Sequence, residues 1–90
     1  MKVRVRFYGM VHDEVGQREI EYELPDGSSV KDLVNEILVD YPVLNEMFYD
    51  ENGGFRDYLE IAVNQVSVIG LCNALNDDDY VQIMPPIGGG

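Results

Sequence analysis

Lys2-Val3-Arg4-Val5-Arg6-Phe7 and, further along, Glu19-Ile20-Glu21-Tyr22-Glu23-Leu24 are the two stretches from which the fold can be read. Val3, Val5 and Phe7 fall on one side of the first and Lys2, Arg4 and Arg6 on the other, the period of a half-buried strand. The second repeats the pattern with Ile20, Tyr22 and Leu24 inward and Glu19, Glu21 and Glu23 outward. An antiparallel pairing therefore sets three anions against three cations on the outer face. Each such pair contributes from a few tenths of a kcal/mol to about 1 kcal/mol, enough to bias which strand pairs with which. The pairs cancel, so the whole formal charge of −11 lies on the rest of the molecule.

Between these strands, Gly9–Gln17 is too long for a tight hairpin, and Val11, Asp13, Glu14 and Val15 suffice for one helical turn under a loop. Pro25-Asp26-Gly27 is a turn signal, after which Ser29 is an N-cap candidate with Asp32 three residues on. Val30, Leu33, Val34, Ile37, Leu38 and Tyr41 then recur at helical spacing until Pro42 stops the helix. Val43–Phe48 reads as weakly helical at best. Asp50-Glu51-Asn52-Gly53-Gly54 is a polar turn before a strand over Tyr58–Val63, and Asn64–Ala74 reads as a short strand with an irregular return at Gly70. Asn76-Asp77-Asp78-Asp79 forms a turn, and Tyr80–Met84 is a last strand with Val81 and Ile83 inward, ended by Pro85-Pro86. The order is α+β. A hairpin, a crossing helix and a final strand beside the first is the β-grasp, or ubiquitin-like, plan: a mixed sheet of four to five strands with one main helix on one face. Residues 1–84 form this domain, and residues 85–90 are expected to be a flexible glycine-rich tail.

The 90 residues bound a single domain. One cysteine, Cys72, cannot close an intramolecular disulfide, and no leader or long apolar run is present, so the expected location is the cytoplasm. With 17 acidic residues against 6 Lys and Arg, nucleic acid and anionic membranes are excluded as direct partners. An enzyme, a partner-binding module and a protein-borne carrier survive. The acidic surface suits either the steering of a basic protein partner or solubility in concentrated salt.

Candidate chemistry is thin. Any Cys-His nucleophilic pair must be Cys72 with His12, the only histidine. Cys72 lies in Val68-Ile69-Gly70-Leu71-Cys72, where a buried small hydrophobe is the better reading, and His12 is expected at the solvent edge. Asp50-x-Asn52 opens like a calcium loop, but Gly54, Phe55 and Ile61 occupy positions that need a ligand, a glycine and a glutamate. Asp77-Asp78-Asp79 reads as a solvated turn whose side chains diverge. No metal is expected.

Gly88-Gly89-Gly90 follow a strand and a Pro-Pro stop at the end of the sequence. Extended, the six residues from Pro85 onward reach about 20 Å, with the prolines stiffening the base and the glycines forming a thin tip. A glycine carboxylate has no side chain beside its reacting carbon, so another enzyme could draw it through a narrow channel and activate it as an acyl adenylate. The alternative is an inert, frayed tail.

These residues resemble the small sulfur-carrier subunit of molybdopterin synthase, the MoaD family, in its archaeal branch with the small archaeal modifier proteins. The resemblance runs from Val3-Arg4-Val5-Arg6-Phe7 through the helix to Val81-Gln82-Ile83-Met84-Pro85-Pro86-Ile87-Gly88-Gly89-Gly90. Met84 stands where the family commonly has Phe, Gly88 where Ser, Thr or Ala is usual, and Asp78 where a turn glycine precedes the last strand.

The resemblance implies a carrier rather than an enzyme, with no stably bound cofactor. A ubiquitin-activating-type adenylating partner would use ATP and magnesium on Gly90. The activated carboxyl would become a thiocarboxylate for the molybdopterin synthase large subunit, or be joined to target-protein lysines. Gly90 would carry the bond, Gly88 and Gly89 would give clearance, and Met84, Pro86 and Ile87 would pack on a partner. Only Lys2 and Lys31 are available as acceptors on this chain. The competing reading is a β-grasp protein-binding module with an inert tail, working through its acidic surface.

Overall fold

The complementary strands pair in the expected register. In a computed structural model that describes residues 1–56 and 58–85, β1 (Lys2–Phe7) lies antiparallel to β2 (Glu19–Glu23), with Lys2 opposite Glu23, Arg4 opposite Glu21 and Arg6 opposite Glu19. Arg4 also reaches diagonally to Glu19 at 3.6 Å, a solvent-exposed pair of small energetic weight. Val3, Val5, Phe7 and Tyr22 are buried on the opposite face.

β3 (Glu60–Val63), β4 (Val66–Val68) and β5 (Tyr80–Met84) complete a mixed five-stranded sheet in the order β2-β1-β5-β3-β4. β5 runs parallel to β1 and antiparallel to β3, so the last strand is central. The main helix, α2 (Val30–Asp40), buries Val30, Leu33, Val34 and Ile37 in the core shared with β1 and β5. Its start is a capping box: the Asp32 amide donates to Ser29 Oγ at 3.3 Å, and the Ser29 amide donates to Asp32 Oδ2 at 2.8 Å. Two further first-turn amides, those of Val30 and Lys31, donate to the carbonyls of Asn73 and Leu71, both at 2.9 Å. The return after β4 is irregular because it serves the helix start rather than the sheet.

Four local expectations are corrected. Gly9–Val15 is a full seven-residue helix, α1, which buries Val11 and Val15, where the sequence suggested one turn. Pro42–Leu44 forms a 3-10 turn leading into a short helix, α3 (Asn45–Phe48), and together these send Leu44 and Phe48 into the core. Phe48 meets Phe55 edge to face at 6.2 Å, and that aromatic contact holds a segment with weak helical propensity. The strand expected over Tyr58–Val63 pairs only from Glu60. Cys72 is exposed, not buried: it lies between the two residues whose carbonyls serve α2, and this stretch joins no strand.

Candidate functional site

The end of β5 is fixed from both sides. Ile83 faces Phe7 on the parallel neighbour and Ile61 on the antiparallel one, and is fully buried. Just past β1, the Tyr8 amide donates to the Ile83 carbonyl at 3.2 Å, and Gln82 Nε2 donates to the Tyr8 hydroxyl at 2.7 Å. The chain then turns at Gly9, whose φ of +56° lies in the left-handed region. A Cβ on Gly9 would stand 2.6 Å from Pro85 Cγ, so the proline ring rests on glycine backbone. Any side chain at position 9 displaces it. Pro85 thus leaves the sheet in a direction set by β1, β5 and the start of α1.

Met84 holds the last position of β5, half-buried and opposite Glu60. The same face of the sheet carries a small cationic and aromatic group: the Arg6 guanidinium lies 5.1 Å from the Tyr8 ring centre, and that of Arg4 lies 5.4 Å from Tyr80. Arg6 Nε has no hydrogen-bond partner among the described residues. Of the residues singled out in the sequence, Met84 is therefore placed at the end of β5, directly before Pro85. Pro86, Ile87, Gly88, Gly89 and Gly90 lie outside the described residues. The sequence reading missed Tyr8, Gly9 and Gln82, although Gly9, two residues past β1, was a readable sign of a turn.

The other candidates stand apart. His12 is half-exposed on α1, with Nδ1 3.6 Å from Asp13. Asp50 Oδ1 accepts from the Asn52 and Gly54 amides at 2.8 and 2.9 Å, closing its own turn. The acidic turn is less solvated than its composition suggested, because Asp79 is buried. It accepts from Asn64 Nδ2 at 2.8 Å and the Asn76 amide at 2.7 Å, while Asp77 accepts from the Lys2 amide at 2.7 Å. Asp78 has φ +66°, so the place noted for lacking a glycine does have left-handed backbone. Among the described residues no group of three or more His, Cys, Asp or Glu is gathered for a metal. Nor is any helix among them long and apolar enough to cross a membrane.

The sequence model of the ThiS family matches residues 5–90. The chain belongs to the ThiS family. Small archaeal modifier protein 3 of Haloferax volcanii is 28% identical over 93 residues, with all of both chains covered. The molybdopterin synthase sulfur carrier subunit of Chlamydomonas reinhardtii is 30% identical over 91 residues, again across the whole of both. The crystal structure of SAMP1 from H. volcanii superposes with a TM-score of 0.91 at 18% identity, covering 100% of each chain, a likeness of fold. This ThiS-family chain is thus a ubiquitin-like β-grasp protein of the sulfur-carrier and modifier group, whose members are small protein carriers and modifiers.

Proposed function

We propose that the protein is the activated partner in a carrier cycle, with Gly90 as its reacting residue. A ubiquitin-activating-type enzyme binds the sheet end and draws in the tail. The Gly90 carboxylate attacks the α-phosphorus of ATP, with magnesium offsetting the phosphate charge, to give an acyl adenylate and pyrophosphate. Hydrosulfide then attacks the acyl carbon and displaces AMP, leaving a Gly90 thiocarboxylate, which a molybdopterin synthase large subunit consumes. Alternatively, a lysine amine attacks the activated carbonyl, the leaving group departs, and an isopeptide bond forms.

The observation that carries this reading is the fixed root. Pro85 rests on Gly9 beside the central strand, so a tail extending from it starts from rigid structure, which lowers the ordering cost of threading a partner's channel. Met84, Pro86 and Ile87 supply apolar contact around that root, and Gly88 and Gly89 the clearance beyond it. The kinship with a named sulfur carrier subunit and a named modifier supports both fates of the tail. Deleting Gly90 tests it. The expected result is loss of thiocarboxylate formation and of lysine conjugation with the fold intact. Retention of both would leave the inert-tail binding module as the better account.

A further inference from the structure

α1 and the segment from Pro42 to Phe48 leave between them a groove of about 300 Å³, lined by Met10, Asp13, Glu14, Val43, Glu46 and Met47. Its floor is apolar and open: Met10 is 64% exposed and Val43 58%, while Met47 packs partly against the core. Its rim is anionic. Glu14 and Glu46 form no ion pair among the described residues, and Asp13 has only the imidazole of His12 nearby, at 3.6 Å. Arg56 forms no side-chain ion pair with Glu46; its Nε donates instead to the Glu46 backbone carbonyl at 2.9 Å.

We propose that this groove docks a basic segment of a protein partner, which inserts one or two large apolar side chains between Met10, Val43 and Met47. Lysine or arginine side chains flanking them meet the carboxylates of Asp13, Glu14 and Glu46. Methionines suit such a floor because unbranched, polarizable side chains repack around different apolar guests. The rim selects the guest's charge. A second copy of this chain brings its own excess of acids, at a net charge of −11, and an anionic membrane repels the rim in the same way. The contact is small, so the binding is transient. Met10 directly follows Gly9, on which Pro85 rests, so the docked segment sits beside the root of the tail. The surface is separate from the tail chemistry and does not depend on Gly90.

The test titrates the full chain with a synthetic amphipathic peptide bearing leucines on one face and lysines flanking them. Affinity is read by calorimetry and the site by NMR shift mapping. Shifts should centre on Met10, Val43 and Met47. Met10→Gln with Val43→Gln should weaken binding about tenfold. Glu14→Gln with Glu46→Gln should weaken it about threefold to tenfold and flatten its dependence on salt between about 50 and 300 mM. Glu36→Gln with Glu51→Gln, which removes the same charge elsewhere, should change little, and deletion of Gly90 should change nothing. Equal weakening by both acid pairs, or shifts centred on β4 or the outer sheet face, would overturn the proposal. So would self-association of the unliganded chain that Met10→Gln with Val43→Gln abolishes.

Discussion

Replacing Gly9 by alanine probes the root of the tail directly. Two costs add at this position. The φ of +56° is left-handed, where a Cβ costs about 1–2 kcal/mol. The new methyl would also stand 2.6 Å from Pro85 Cγ, and since a proline ring cannot swing away, either it or the backbone moves at a further cost of about 1–3 kcal/mol. Gly16 is the matched control, with φ +78° and nothing within 4 Å of the place a methyl would take, so Gly16→Ala bears the backbone cost alone. Gly9→Ala should therefore lose about 2–5 kcal/mol and Gly16→Ala about 1–2 kcal/mol. A domain of this size holds about 5–13 kcal/mol in total, so Gly16→Ala should stay folded throughout that range and Gly9→Ala over all but its lower end. The assay is urea unfolding followed by circular dichroism, with thermal scans in which each kcal/mol moves Tm by about 4–8 °C. In a Pro85→Ala background the extra cost of Gly9→Ala should vanish, because Cγ is gone. Equal losses at Gly9 and Gly16, or an undiminished loss without the proline ring, would refute the claim that Pro85 is seated on Gly9.

Asp78→Gly should stabilise the protein by about 0.5–1 kcal/mol, read from the urea midpoint, because an exposed aspartate at φ +66° bears a cost that glycine does not. Ser29→Ala should cost about 1 kcal/mol in the same assay through loss of the hydroxyl that accepts from the Asp32 amide. Burial first, and then the nearby Asp40 carboxylate that accepts from its hydroxyl at 3.2 Å, push the Tyr22 phenol well above its usual 10.0. The folded state thus keeps a proton that the unfolded chain loses, and the stability tied to Tyr22 is full below pH 10 and falls by about 1.4 kcal/mol per pH unit above it. Tyr22→Phe should flatten part of that decline, leaving the share of Tyr49, also raised by burial.

The hairpin and main helix were legible because their signals are local. Alternation with opposite charges determined the pairing and register of β1 with β2, and the Ser29 to Asp32 spacing marked the start of α2. The parallel contact between β1 and β5 joins strands at opposite ends of the chain, so only the overall element order hinted at it. α1 was underread because its N-cap, Tyr8, makes no side-chain capping bond, and Phe48 because an aromatic partner, Phe55, holds it rather than propensity. Cys72 misled because an apolar neighbourhood in sequence resembles burial, whereas its segment is exposed where it passes the start of α2. Asp79 misled in the opposite sense: charge suggested solvent, but its carboxylate organises the turn before β5. At the candidate site, composition made the glycines and prolines conspicuous, while the seat beneath Pro85 emerges only from the packing of Gly9.

The central claim is that Gly90 is activated and modified, and mass spectrometry of the C-terminal region after incubation with ATP and extract of the native cells tests it most directly. The account predicts a sulfur-for-oxygen increment on the free chain, a Gly90 to lysine bond on a target, or both, each dependent on ATP. An unmodified Gly90, with a known carrier modified in the same extract, would contradict it.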